Sequence, residues 1–278
     1  MLMKYFAGNT RSKVLAYGKK LIKNNKSPII NYIVENNKFS TYDDNNSMKF
    51  RVFSEYNKLF EDIDSNYKIA LKLSSLDFDT GLIDKLMDRY RIKSIPIIID
   101  AEDNDNYQKY REITNRLIYK YNHKEANIIK TYQMYRKDSL DELKDDLKFM
   151  RKNNKILCPK LVRGAYHNAE KKQGHLFTNK EDTDLSYSNA LFECYNANNP
   201  YNIVATHNKE SLHLAEHLNK DKIFSFAHLM GMNEKYMDNF KIHNKVYTYI
   251  PYGPYNEMIP YLTRRLYENL DSVKYIFK

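Results

Sequence analysis

A chain of 278 residues with a 42% hydrophobic fraction and only seven Gly and seven Pro can build a substantial core, which excludes a disordered or fibrous class. Its two cysteines, Cys158 and Cys194, give neither a disulfide framework nor a metal-ligand spacing, and no apolar run nears the ~18–20 residues of a membrane span. The formal net charge of +10 is spread along the chain with no recognition motif beside it, so nucleic acid is not the expected partner.

Met1 to Thr10 show neither a signal-peptide core nor an Arg-rich transit pattern, so a cytoplasmic chain, or one resting on a membrane surface, is expected. Arg11–Lys23 has helical periodicity, which makes residues 1–27 a helical lead-in to the first strand, Pro28–Ile33. A strand at Lys68–Lys72 is followed by a helix at Asp84–Tyr90, a strand at Ile95–Asp100 and a helix at Asn106–Tyr121. The alternation continues through strand Ala126–Tyr132, helix Ser139–Asn153, strand Lys160–Arg163 and helix Asp184–Ala197. Strand Ile203–Thr206, helix Glu210–Leu218, strands Ile223–Phe226 and Val246–Ile250, and a last helix over residues 256–270 complete it.

Strand and helix at this spacing imply parallel pairing with helices on the outside. About eight units in ~250 residues imply an α/β fold, a (βα)8 TIM-like barrel formed by residues 1–278 as one domain. An open doubly wound sheet is the runner-up, but no Gly-x-Gly-x-x-Gly turn follows any strand.

Polar residues stand where the strands end. Lys72 closes one apolar run and Asp100 another, Gln133 follows IIKTY, Arg163 closes KLVR, His207 and Asn208 follow IVAT, and Tyr249 lies near the end of VYTYI. Barrel enzymes build their sites at the C-terminal ends of strands, so this ring is the expected active face. A carboxylate such as Asp100 at the end of a buried strand is costly without a positive partner. Glu210, His213 and His217 offer a rival metal reading, but they lack the full His-Glu-x-x-His pattern and lie on an outer helix, so no metal is expected. A basic barrel that binds without catalysis is a further alternative.

Several strings resemble the motifs of the proline dehydrogenase family: Lys160-Leu161-Val162-Arg163-Gly164-Ala165-Tyr166, Ile99-Asp100-Ala101-Glu102-Asp103, Thr131-Tyr132-Gln133, Ala205-Thr206-His207-Asn208 and Leu229-Met230-Gly231-Met232. Tyr249-Ile250-Pro251-Tyr252-Gly253-Pro254, then Pro260-Tyr261-Leu262-Thr263-Arg264-Arg265 with Glu268-Asn269, extend the resemblance in the family's order. It implies a distorted βα barrel that holds FAD, oxidises L-proline to 1-pyrroline-5-carboxylate by hydride transfer, and passes electrons to a quinone.

By the same resemblance, Lys72, Arg264 and Arg265 meet the proline carboxylate, and Asp100 and Tyr249 share the catalytic centre. Guanidinium forks and an ammonium suit a carboxylate. Leu229, Tyr249 and Tyr261 wall the proline ring, Glu268 orients the arginines, and Tyr166 is a further wall candidate. The tyrosine at 249 favours proline over 4-hydroxyproline by crowding the extra hydroxyl. Gln133 and Lys160 address the flavin ring, Lys160 replacing an arginine common in bacterial relatives. Arg163, Gly164, Ala165 and Tyr166 lie close to the cofactor, where Gly164 lets backbone approach a flat ligand, and Thr206, His207 and Asn208 stand near its adenosine half. Glu35 aligns with a glutamate that closes over substrate. His228 replaces a glutamine, and His167 an aromatic or large apolar residue.

Overall fold

The computed structural model describes residues 2–34, 42–166, 170 and 172–268, the side chains of residues 2–3, 42–46 and 264–268 lying outside that description. A 3-10 turn at Leu2–Tyr5 leads to α1 (Arg11–Lys23), β1 (Ser27–Tyr32), α2 (Tyr42–Asp62), β2 (Lys68–Leu71), a second 3-10 turn (Leu73–Leu76), α3 (Thr80–Ile92) and β3 (Ile97–Ile99). Then come α4 (Asn104–Tyr121), β4 (Ile128–Gln133), α5 (Ser139–Lys152), β5 (Pro159–Val162), α6 (Lys180–Asn196) and β6 (Asn202–Ala205). The chain continues through α7 (Lys209–Leu218), β7 (Phe224–Leu229), α8 (Glu234–Phe240), β8 (Val246–Tyr252) and α9 (Tyr255–Glu268).

The strands pair in parallel in sequence order, and β1 closes on β8 from Ser27↔Tyr247 to Tyr32↔Tyr252. This is the closed (βα)8 barrel expected from the alternation; the open sheet is excluded because every strand has two neighbours. The eight predicted strands are all present, with ends shifted by no more than three residues. β7 runs further than expected, to Leu229, and β8 continues through Pro251 to Tyr252.

Side chains alternate across each strand. One set, including Ile29, Ala70, Ile98, Ile129, Cys158, Ile203, Ala227 and Tyr247, fills the barrel. The other set, including Ile30, Ile69, Ile97, Leu161, Val204, Phe226 and Ile250, packs under the helices. Both cysteines are buried free thiols.

α2 and α8 had no predicted counterpart. α2 buries Val52, Tyr56, Leu59 and Phe60, an i, i+4, i+7, i+8 stripe typical of a core-facing helix. α8 is only seven residues long, too short to show a period.

Several helices begin at a side-chain cap in the segments that follow the strands. Asp79 accepts from the Leu82 amide (3.1 Å), Asp103 from Asn106 (3.2 Å), Asn179 from Asp182 (2.8 Å) and Asn208 from Ser211 (2.8 Å). On the outer face of β4, Lys130 is fully buried between Glu142 Oε1 (2.7 Å), Asp146 Oδ2 (2.6 Å) and Asn115 Oδ1 (2.7 Å). Arg111 also pairs with Glu142, and the Tyr132 hydroxyl donates to Asp146. Charge this deep is tolerable only when paired, and the pairing ties α4 and α5 to the strand that ends in Gln133. Among the described residues, no helix is long and apolar enough to cross a membrane.

Candidate active site

Asp100 is the first residue past β3, and its amide donates to Leu71 O at 2.9 Å, which fixes the strand end. Its Oδ1 accepts from Lys160 Nζ at 2.7 Å and its Oδ2 from the Tyr249 hydroxyl at 2.5 Å. The Lys160 ammonium lies 5.2 Å from the centre of the Tyr249 ring. Lys160 and Tyr249 are both buried. β3, β5 and β8 thus converge on one carboxylate whose two oxygens are both used, the positive partner expected for Asp100 being Lys160. Burial, then the charge of Asp100 and the neighbouring Tyr261, hold the Tyr249 phenol well above its ordinary range, so it remains a donor. Tyr261 of α9 is itself buried, in an apolar cluster with Met258, Leu262, Ile33, Tyr5 and Phe6.

Lys72 follows β2 and begins the second 3-10 turn, where its carbonyl accepts from the Ser75 amide (3.1 Å) and hydroxyl (2.6 Å). Its Nζ donates to the Tyr166 hydroxyl at 2.5 Å, and that hydroxyl donates to Ala101 O at 3.3 Å. Tyr166 therefore joins Lys72 to the loop that carries Asp100.

Sequence reasoning assigned no role to Glu102. It is 2% exposed and accepts from both the amide and the hydroxyl of Ser74, each at 2.9 Å, while Gln133 Nε2 donates to its carbonyl at 3.0 Å. Burial raises its carboxyl pKa, against the opposing charge of Lys72. Glu102 thereby fastens the ends of β2, β3 and β4 together. The available signal was a second carboxylate two residues after a strand-terminal aspartate.

Gln133 Oε1 and His207 Nδ1 are buried atoms without a hydrogen-bond partner among the described residues. Such an atom costs about 1–3 kcal/mol unless something pairs with it, which fits residues that hold a polar, planar ligand across the mouth. Burial, followed by the charge of His228, lowers the His207 pKa to about 4, so its ring is neutral.

Other expected cofactor residues have protein partners of their own. Arg163 reaches Asp184 (2.5 Å) on α6 and the Ser211 hydroxyl (2.9 Å) on α7. Asn208 caps α7, and the Thr206 hydroxyl accepts from the Asn208 amide at 3.2 Å. Gly164 has φ +148°, and a Cβ there would lie 2.3 Å from the Tyr135 ring. The missing side chain thus accommodates Tyr135, a reason different from the expected close approach of a ligand. Ala165 follows in the same loop, and Leu229 ends β7 against the barrel interior.

α9 carries Arg264, Arg265 and Glu268, whose side chains lie outside the described part, as do residues Glu35 and His167. The two ring nitrogens of His228 meet Met232 O (3.0 Å) and the Thr248 hydroxyl (2.9 Å), so the histidine is accommodated within the barrel wall. Of the rival metal set, His213 packs against Tyr236, its Nε2 3.1 Å from the hydroxyl. No group of three metal-ligating side chains occurs among the described residues.

The sequence profile of the family described as proline dehydrogenase matches residues 20–276. Proline dehydrogenase 1, mitochondrial, of Dictyostelium discoideum is 32% identical over 209 residues, covering 67% of this chain and 36% of that protein. Hydroxyproline dehydrogenase of Mus musculus is 29% identical over 241 residues, covering 76% of this chain and 53% of that protein. The chain therefore spans about a third to a half of the length of these relatives. Among solved structures, proline utilization A of Bdellovibrio bacteriovorus, inactivated by N-propargylglycine, superposes with a TM-score of 0.81 at 20% identity. That match covers 96% of this chain and 32% of the other, and at such identity it speaks to the fold alone.

Proposed function

Because the chain belongs to the proline dehydrogenase family, we propose that it oxidises L-proline to 1-pyrroline-5-carboxylate, with FAD as resident cofactor and a quinone-type molecule as final acceptor. The observation that carries this reading is the Asp100 junction, where a buried cation and a phenol meet at one carboxylate on the C-terminal mouth of the barrel. FAD, when bound, supplies the hydride acceptor for C5 of proline.

The chain's own residues do the rest. Asp100 keeps the Lys160 ammonium aimed, and a fixed cation stabilises negative charge that develops beside it. Lys72, Arg264 and Arg265 bind the substrate carboxylate, the guanidiniums as forks and the lysine as a point charge, with Glu268 orienting the arginines and Glu35 closing over them. Tyr249, Leu229 and Tyr261 form apolar walls that hold the ring and exclude water. Gln133 and His207 offer their unpaired atoms to the cofactor, flanked by Lys160, Arg163, Gly164, Ala165, Thr206 and Asn208. Tyr249 crowds a 4-hydroxyl and so favours proline. Residues 1–278 act as one unit, meeting a membrane surface only peripherally, where a quinone is reached.

The test is the visible spectrum of the purified protein. Absorption at roughly 450 nm, bleached anaerobically by L-proline and less readily by 4-hydroxyproline, is the expected result. A colourless protein overturns the cofactor assignment. A yellow protein that proline leaves unbleached overturns the substrate. Arg264→Met and Arg265→Met should each raise the proline KM about 10–100-fold with flavin retained; wild-type kinetics in both would remove them from the site.

A further inference from the structure

α9 docks through an apolar cluster separate from both the main core and the barrel interior. Its members are Met258, Tyr261 and Leu262 of α9, Ile33 beyond β1, and Tyr5 and Phe6 ahead of α1, with Met232 partly buried beside them. The segment carrying Tyr5 and Phe6 is pinned by backbone as well. The Ala7 amide donates to Pro251 O at 3.0 Å, and the Gly253 amide to Gly8 O at 3.4 Å. Gly231, with φ +78°, admits it closely: a Cβ there would stand 2.5 Å from the Lys4 carbonyl and 2.8 Å from the Tyr5 ring. Phe6 also meets Tyr255 edge to face at 6.0 Å. Residues 2–8 thus run across the β7–α8 loop, the end of β8 and α9. Pro260 lies inside α9 and removes one of its backbone hydrogen bonds, so this helix depends more than most on what it packs against.

We propose that residues 2–8 form a strap that sets the position of α9 over the mouth, with Tyr5 and Phe6 as positioning residues for the substrate end of the site. Arg264 and Arg265 follow Tyr261 within about one helical turn, so a shift in the docked half of α9 displaces them from the ligand. The kinetic half of the proposal rests on the carboxylate-binding role given to those arginines above.

Tyr5→Ala, Phe6→Ala and Gly231→Ala in the full, flavin-loaded chain test it, the glycine variant pushing the strap away without removing a core side chain. Amide exchange over residues 255–268 should quicken in each while the barrel strands keep their protection. The proline KM should rise about tenfold, with kcat reduced less than about threefold and flavin content unchanged. Tyr5→Phe and Phe6→Leu should restore most of both effects. If the two alanine variants fail to fold, Gly231→Ala carries the test. Unchanged exchange in α9 overturns the strap, and faster exchange with an unchanged KM overturns its positioning role. A wild-type protein inert to proline would refute the functional reading, while the exchange experiment would still decide the strap.

Discussion

Asp100 shows what a single residue contributes. Asparagine keeps its shape but cannot accept from both partners at once, and it leaves the Lys160 ammonium, 8% exposed, without a counter-charge. Asp100→Asn should therefore destabilise the fold by about 3 kcal/mol, whereas Tyr249→Phe, losing one phenol bond, should cost only about 1 kcal/mol. Urea denaturation checks both, and equal costs would show that the ion pair contributes nothing special. That Asp100 needs a cation was legible from its place after an apolar run; that Lys160 supplies it was not, because 60 residues separate the two and only the barrel brings them together. Glu102 escaped notice for a related reason. Its partners Ser74 and Gln133 sit on neighbouring strand ends, a relation that sequence spacing does not display.

At the scale of elements, β4 with α4 and α5 is held by buried charge. Lys130→Met removes the cation shared by Glu142 and Asp146, both within 2.7 Å of it, leaving Glu142 with only Arg111 and Asp146 without a charge partner among the described residues. A loss of about 3–5 kcal/mol is expected, read as a lower urea midpoint with an unchanged slope. Replacing Lys130, Glu142 and Asp146 together by apolar residues should recover much of it, and equal destabilisation by both changes would refute the ion-pair account. Legibility differed among helices for physical reasons. α1 has its predicted bounds, Arg11–Lys23. α2 opens with the polar run Asp43-Asp44-Asn45-Asn46, which hides the apolar stripe that starts at Val52.

Over the whole molecule, strand number, order and closure were all expected from about eight short apolar runs alternating with amphipathic stretches, but the register in which β1 meets β8 was not, since it is set across most of the chain. Global stability should depend on acid through two rings, the buried His228 and the partly buried His207. His207 and His228 have pKa values lowered from 6.5 to about 4, chiefly by burial, with Lys26 adding to the effect at His228 and Asp238 opposing it. Between those values the unfolded chain binds protons that the folded chain refuses. Stability is therefore complete above about pH 6.5 and falls as the solution is acidified toward pH 4, each ring removing up to about 1.4 kcal/mol per pH unit. His228→Gln should flatten that fall between pH 7 and 5 in urea titrations; an unchanged slope would clear His228 of the effect. The packing of Tyr5 and Phe6 against α9 also bears on the order of assembly. These partners are separated by about 250 residues, the costliest kind of loop to close. The rim where they meet cannot be completed until α9 has left the ribosome, so an N-terminal segment made first must wait for a partner made about 250 residues later.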